Sequence, residues 1–242
     1  MKKLLVYVCL LAGCSSSNLS DGAIGGGGTA SGGSAGAPEF VNTCSAARAQ
    51  LLGSIDAVSS GAVSMLSRDA QGTTLYVDAT AGGMSQAAEK PWTYVSLANA
   101  SRVDVTDVTS LESVAWDLAF KRSLIYTNSG DGGPGQGASL FLDKAYEDVT
   151  HADASAAALV GESFFDSDCR PTVDVTGSVY TSFSSWYEYD EASHVLSPVS
   201  GTWLIRGAGG ALYKLAFSSY YATPSGGMGS TAGAYLLKFE AL

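Results

Sequence analysis

The sequence is poor in side chains that exchange protons near neutral pH. It has only two histidines, His151 and His194, among 242 residues, and histidine is the residue whose unshifted pKa lies in that range. It also has no strand-to-helix nucleophile elbow and no His-Glu-x-x-His helix, the signatures of many hydrolases and zinc proteases. Its carboxylates are scattered, so their spacing assigns no acid–base pair. The sequence therefore predicts a protein that is not an enzyme, and a hydrolase is the alternative left open.

Positive charge is scarce as well. The chain has 13 lysines and arginines against 23 aspartates and glutamates, a formal net charge of −10. If Lys2 and Lys3 leave with a signal peptide, 11 basic residues remain against 23 acidic ones, which gives −12. A charge of this sign repels phosphate backbones. We therefore expect no nucleic-acid partner.

The apolar run near the N-terminus, residues 4–12, is far shorter than the ~20 residues that a membrane-spanning helix needs. Lys2 and Lys3 precede it, and small residues follow it directly before Cys14. This layout is typical of a secretory signal, and the sequence Leu-Ala-Gly-Cys resembles a bacterial lipobox. We predict a signal peptide over 1–13 and a lipid on Cys14. The alternative is an ordinary signal peptide with an incidental cysteine.

Residues 15–38 are mostly serine, glycine, alanine and threonine. Such a composition cannot bury enough apolar surface to offset the entropy lost on ordering. We expect a flexible tether over 14–38, with an r.m.s. reach of roughly 25–30 Å, and one domain over 39–242. Because Ser15 rather than an aspartate follows Cys14, we expect the anchor to lie in the bacterial outer membrane, at the cell surface.

Cysteine is also rare, with four residues in the chain. Cys9 would leave with the signal peptide and Cys14 would carry the lipid. The remaining pair, Cys44 and Cys169, would then face an oxidising compartment, where paired cysteines form disulfides. We predict a disulfide between them, with two buried free thiols as the alternative.

Short alternating segments dominate the rest of the chain. A helix is predicted over 44–58 and a short helical segment over 153–160, and Met65 lies in an alternating segment that indicates a core position. Gly207 to Gly210 resemble a hairpin connection. Candidate strands lie at 73–80, 92–97, 103–108, 116–120, 123–127, 138–142, 173–189, 202–206, 211–221 and 234–242. Short strands with glycine-rich turns predict an all-β domain, an antiparallel β-sandwich or barrel-like fold with few short helices.

The segment 130–137 is rich in glycine and satisfies the Gly-x-Gly-x-x-Gly pattern of dinucleotide-binding loops. A Rossmann loop opens a helix, however, whereas this one leads into 138–142, which alternates like a strand. Asn128, Asp131 and Asp143 offer oxygens to calcium, but no EF-hand carboxylate follows. We favour a structural connection whose glycines permit positive φ, with calcium binding as the alternative.

The sequence WDLAFKR…IYTNSGDGGPGQGA, within residues 116–138, resembles the signature of the HmuY-like bacterial haem-binding lipoproteins. The segments LYVDAT, WTYVSL, SSWYEYD, WLIRG and YKLAFSSYY agree with it, and the resemblance covers roughly residues 60–242. It implies an all-β, secreted or lipid-anchored protein without enzymatic activity. Such a protein shelters haem, in some cases takes it from host haemoproteins, and passes it to an outer-membrane receptor.

The signature itself is expected to be scaffold. Trp116, Leu118 and Phe120 would bury one face of a strand. Asp117 and Asn128 would satisfy backbone groups where the chain enters the glycine-rich loop.

The resemblance also implies a haem site, since haem iron takes His, Met, Cys or Tyr as axial ligands. His151 and His194 are the predicted ligands, with Met84 and Met228 as alternatives. The C-terminal aromatic residues are candidates for the pocket walls: Trp186, Tyr187, Tyr189, Trp203, Tyr213, Phe217, Tyr220 and Tyr221. They would equally fill a β-sandwich core. A surface lipoprotein of this fold without haem, such as a carbohydrate-binding or adhesive module, is the alternative function.

Overall fold

β-Structure dominates the part of the chain that this computed structural model describes, residues 44–175 and 177–242. Within it lie three short α-helices: α1 (Ser45–Leu52), α2 (Asp107–Ser110) and α3 (His151–Ala156). The strands are β1 (Val63–Asp69), β2 (Gly72–Asp78), β3 (Thr93–Ser96), β4 (Ser101–Arg102), β5 (Leu118–Lys121), β6 (Leu124–Thr127), β7 (Ala138–Leu142), β8 (Tyr187–Asp190), β9 (Val195–Pro198), β10 (Thr202–Arg206), β11 (Leu212–Ser219) and β12 (Ala234–Ala241).

The predicted signal peptide over 1–13, the lipid-bearing Cys14 and the tether over 14–38 all lie outside the described residues. So does the predicted start of the domain at residue 39. Among the helices of the described residues, none has the length and apolar character that crossing a bilayer requires.

The largest sheet has six antiparallel strands in the order β1-β2-β12-β11-β10-β7. The hairpin between β10 and β11 confirms the predicted glycine connection, because Gly207 N–H donates to Ala211 O and Gly210 takes a φ of 90°. A smaller antiparallel sheet has the order β4-β3-β5-β6, and β8 and β9 form a separate hairpin. The sheets do not close into a barrel, so the fold is sandwich-like.

The main core joins one face of each sheet. Alternate residues of β2 and β12 contribute Leu75, Val77 and Leu237, and the smaller sheet contributes Leu118 and Phe120, all fully buried. Burying each such side chain contributes roughly 1.5–3 kcal/mol before the entropy cost of ordering. The two sheets are therefore held together by the alternation that the sequence displays.

The smaller sheet is buried on its second face too. There Tyr94, Tyr126 and Trp116 pack with Leu52 of α1 and with Phe164. Trp116 is fully buried as predicted, but it precedes β5 and belongs to this cluster instead of the main core that holds Leu118 and Phe120. The predicted disulfide is confirmed: Cys44 is bonded to Cys169, with their Cα atoms 5.2 Å apart.

The second face of the six-stranded sheet carries α3. Val149 and Ala154 pack against Leu204, while the neighbouring β10 residues Trp203 and Ile205 face the main core. Successive strand residues point to opposite faces. Helix α3 therefore lies on the side of this sheet that is turned away from the main core.

Three predicted elements differ in extent. The helix expected over 44–58 ends at Leu52, where Gly53 is its C-cap. The strand expected over 103–108 is wrong, because Thr106 accepts a hydrogen bond from Thr109 N–H and starts α2 there. The helix expected over 153–160 is α3, which lies earlier.

The long strand expected over 173–189 is also wrong. Asp174 accepts hydrogen bonds from the backbone at both Gly177 and Ser178, which turns the chain at Gly177, where φ is 84°. Met65 is not a core residue either. Half of its surface is exposed, because β1 is the edge strand of its sheet.

Candidate functional site

The glycine-rich loop is organised around the buried Asn128. Its Nδ2 donates to the carbonyls of Ser113 and Trp116, each at 2.8 Å, and its Oδ1 accepts from Gly135 N–H at 2.9 Å. A Cβ at Gly133 would collide with the Asn128 side chain. The glycines therefore allow the backbone to close on this amide, as a structural connection requires.

Acidic residues near the loop also bind the backbone. Asp117 accepts from Leu97 N–H and Ala208 N–H, at 2.7 and 2.8 Å, so it satisfies backbone groups, and these donors follow strands of different sheets. Asp131 accepts from Phe164 N–H at 2.6 Å. Among the described residues, no group of three or more His, Cys, Asp or Glu side chains is placed to hold a metal ion. Asp117 and Asp131 thus both accept hydrogen bonds from backbone N–H groups.

A groove of about 450 Å³ opens beside the β8–β9 hairpin. One wall is β9, and the other is the end of β11 with the segment that follows it. Tyr221 ties the walls together, because its phenol oxygen accepts from Leu196 N–H at 3.0 Å. Burial raises the pKa of the neighbouring Tyr220 to about 12, so its phenol stays neutral. The lining residues are Val195, Leu196, Ser197, Pro198, Ser218, Ser219, Tyr220, Tyr221, Met228, Gly229 and Ser230.

Met228 belongs to the lining of this groove and lies in a tight loop. Gly229 N–H donates to Tyr221 O, and Gly226 N–H donates to Thr223 O at 2.8 Å, so the backbone on both sides is fixed. The Met228 side chain nevertheless has 94% of its surface exposed. An exposed thioether on an ordered loop is free to contact a ligand.

His194 lies in the turn of the same hairpin, directly before Val195 of the groove wall. It adopts a left-handed conformation, with φ 57°, and its N–H donates to Asp190 O. Its Nδ1 is 2.6 Å from the Tyr189 hydroxyl. His194 is therefore next in the chain to a lining residue of the groove, although it is not itself part of the lining.

His151 lies elsewhere. It is the exposed first residue of α3, and its Nδ1 is 3.1 Å from Ser155 Oγ. Helix α3 covers the outer face of the six-stranded sheet, whereas Leu196 of the β8–β9 hairpin packs on the main core. The structure therefore does not bring the two histidines together.

Met84 lies on another turn. It follows a turn in which Ala81, Gly82 and Gly83 all have positive φ. That turn borders a second cavity of about 330 Å³, which is lined by polar residues including Asp78 and Lys90. Met84 has 86% of its surface exposed and shares no cavity lining with Met228.

Most of the aromatic residues considered for the pocket walls belong to the core. Trp186, Trp203, Tyr213 and Phe217 are buried in the main cluster. Only Tyr220 and Tyr221 of the set line the groove, while Tyr187 packs on the core and Tyr189 is half-exposed. A carbohydrate site built on stacked aromatic faces therefore has little exposed ring surface to use.

The sequence did not predict the groove wall that β9 forms, Val195 to Pro198. The signal available was the short alternation in VLSP after a Ser-His turn, which is too brief to distinguish a strand from a loop. The alternative ligand Met228, by contrast, was identified from its position between glycines in SGGMGS.

The model of the HmuY protein family matches residues 88–233 of the chain. No curated protein matches the chain. Among solved structures, the chain is similar to a candidate lipoprotein of Bacteroides fragilis, with 19% identity over 72% of this chain and 91% of the other, at a TM-score of 0.44.

Two further structures are similar. A candidate HmuY-like haem-binding protein of Bacteroides vulgatus is 18% identical, over 74% of this chain and 96% of its own, at a TM-score of 0.44. The apo form of a HmuY analogue of Tannerella forsythia is 13% identical, over 69% of this chain and 94% of its own, at a TM-score of 0.46.

Proposed function

The chain belongs to the HmuY family, and from this premise we propose that it is a non-enzymatic, haem-binding lipoprotein of the bacterial outer surface. The observation that carries the proposal is the groove beside the β8–β9 hairpin. It has an apolar wall and includes Met228 among its lining residues, and His194 directly precedes that wall in the chain. Thioether and imidazole side chains are both of the types that ligate haem iron.

The size and lining of the groove support a flat apolar ligand. Its volume of about 450 Å³ lies within the range of roughly 300–1,000 Å³ typical of ligand pockets. Leu196, Pro198 and the tyrosine rings provide apolar surface, and the serines at the rim leave room for polar substituents. When bound, haem would supply an iron centre that side chains of this groove would ligate.

Met228 and His194 are the proposed axial ligands. Met228 lines the groove, and His194 has Nδ1 occupied by Tyr189, which leaves Nε2 for the iron. Helix α3, which begins at His151, packs on the outer face of the six-stranded sheet, so we leave His151 out of this ligand pair. Met84 stays the alternative methionine.

A haem titration of the purified mature domain tests the proposal. The wild type should show a saturable Soret shift and a six-coordinate, low-spin spectrum. His194→Ala and Met228→Leu should each weaken binding and give a five-coordinate spectrum. His151→Ala is the matched control, an exposed histidine on the other side of the six-stranded sheet, and should bind as the wild type does. Met84→Leu tests the alternative methionine and should also leave binding unchanged.

The outcomes distinguish an error in the proposed site from an error in the proposed function. If the wild type shows no saturable Soret shift, haem binding is wrong. If haem binds but His151→Ala or Met84→Leu loses it, while His194→Ala and Met228→Leu do not, the assignment of the site to the groove is wrong. The residue whose substitution abolishes binding is then the ligand.

Surface anchoring is proposed from Cys14 and the lipobox before it. An anchored domain would capture haem, or take it from a haemoprotein, and release it to an outer-membrane receptor. Cys14→Ser should move the protein from the membrane fraction to the soluble fraction. Persistent membrane association of that variant would contradict the lipid anchor.

A further inference from the structure

The methionines of this domain are exposed, which is unusual for a side chain that proteins mostly bury. The chain has four methionines, and Met1 belongs to the predicted signal peptide. The exposed fraction of the other three is 50% at Met65, 86% at Met84 and 94% at Met228. A dissolved oxidant therefore has access to the side chains of Met84 and Met228 without any opening of the fold.

Met228 differs from the other two methionines in its surroundings. It belongs to the lining of the groove, whereas neither Met65 nor Met84 is among the lining residues. Its loop is ordered by a backbone hydrogen bond from Gly229 N–H to Tyr221 O at 2.6 Å. The groove thus has an exposed thioether at a fixed place in its lining.

Oxidation would change the chemistry of that place. When hydrogen peroxide reacts with a thioether, the O–O bond breaks, one oxygen atom bonds to the sulfur, and the other leaves as water. The sulfur is oxidised by two electrons, and the peroxide is reduced by the same two. The resulting methionine sulfoxide is polar, and it no longer offers a thioether to iron.

We propose that Met228 is an oxidation-sensitive site, at which a peroxide converts the thioether to a sulfoxide and so lowers the affinity of the groove for its ligand. This inference rests on the proposed haem function. Because the Met228 side chain buries almost none of its surface, its oxidation leaves the packed core unchanged. The modification therefore acts on ligand affinity rather than on stability, and methionine sulfoxide reductases reverse it.

Peptide mapping by mass spectrometry gives a readout without haem. The purified mature domain is treated with hydrogen peroxide, freed of the peroxide and digested. Met84 and Met228 should oxidise at similar rates, both faster than the half-exposed Met65. The melting temperature of the oxidised domain should differ from that of the untreated domain by less than about 2 °C, as for other changes at exposed positions.

Haem titration of the same samples measures the effect on the groove. Loss of even an outer partner of a metal ligand typically costs 10–100-fold in metal affinity, so oxidation should weaken haem binding by the wild type at least 10-fold. Met84→Leu should lose as much on oxidation. Met228→Leu, which binds more weakly from the start, should lose nothing further. Incubation with methionine sulfoxide reductases and a thiol reductant should restore the oxidised wild type.

Three results overturn the inference. They are unchanged haem affinity after complete oxidation of Met228, an equal loss of affinity in oxidised Met228→Leu, and a Met228 that resists peroxide while Met84 is oxidised. Each of them can occur while the untreated wild type still binds haem, in which case the proposed function stands alone. If the untreated wild type shows no saturable Soret shift, the proposed function is wrong, and this inference is wrong with it.

Discussion

The glycine-rich loop and the groove beside the β8–β9 hairpin are built on different principles. In the loop, Asn128 makes three hydrogen bonds to the backbone while fully buried, and Gly133 has no room for a side chain. In the groove, Met228 is almost fully exposed, and His194 contacts one exposed tyrosine.

The difference separates what holds the domain together from what meets a ligand. The loop carries the sequence signature that identifies the family, yet its polar groups bind the backbone. The groove carries no comparable signature, yet its side chains remain available. Substitutions in the two regions should therefore affect different quantities: stability for the first, ligand affinity for the second.

Trp116→Ala should have the largest effect on the scaffold side of this comparison. The ring is fully buried, its Nε1 donates to Ser110 O, and it packs edge-on against Tyr94 and Tyr126. Removing it should lower the free energy of unfolding by roughly 3–5 kcal/mol, measured by urea denaturation. A loss below 1 kcal/mol would show that the cluster around it is not packed as described.

The double variant Cys44→Ser/Cys169→Ser should have the second largest effect on stability. The disulfide spans 125 residues, and closing a loop of that length stabilises a domain by roughly 2–5 kcal/mol in chain-entropy models. The double variant and the reduced wild type should melt alike, below the oxidised wild type. Unchanged melting of both would mean that the link constrains little of the unfolded chain.

Asp107 should give the scaffold a pH dependence. It is 1% exposed, and burial raises its pKa to about 6 from 3.8, against the opposing effects of Trp92 N–H and Lys121. Because the folded state binds the proton more tightly, its contribution favours folding below about pH 4 and is lost as the pH rises through about 6.

A pKa raised from 3.8 to about 6 corresponds to a contribution of up to ~3 kcal/mol to the free energy of unfolding. The free energy of unfolding of the wild type, minus that of Asp107→Asn, should fall by an amount of this order between pH 4 and 7. A difference that is flat with pH would show that Asp107 titrates normally.

Met228→Ala should have the smallest effect on stability, because the side chain buries almost nothing. Exposed substitutions usually change the free energy of unfolding by less than about 0.5 kcal/mol. The same variant should lose haem affinity, which Asn128→Ala should retain wherever it folds. A Met228→Ala variant that unfolds readily and binds haem normally would reverse the comparison.

Much of the sandwich was predictable from the sequence. Strands β2, β7, β10 and β12 were each predicted from short runs rich in apolar and aromatic residues that are bounded by turn residues, and each is found close to its predicted bounds. The segment 173–189 alternates, yet it turns at Gly177, because local hydrogen bonds from Asp174 compete with strand pairing. Met65 shows another limit, since alternation does not tell an edge strand from a central one.

The candidate site was only partly predictable. His194 and Met228 were recognisable as ligand types on loops, but the groove that Met228 lines forms where the hairpin packs against the end of β11, which no local pattern encodes. The separation of His151 follows from strand parity at Trp203 and Leu204, which becomes informative only when the sheet order is known.

The disulfide also determines how the domain responds to mechanical force. The described chain begins at Cys44, which is bonded to Cys169. A pull on the preceding segment therefore divides at Cys44 between α1 and the covalent link to the loop before Arg170. While the disulfide is intact, force applied at that end cannot unfold α1 and the strands before Cys169 one after another in chain order. If the preceding segment is the membrane tether, shear at the cell surface would act on the domain through this cross-linked residue. The disulfide would then have to be reduced before the domain could unfold progressively from its anchored end.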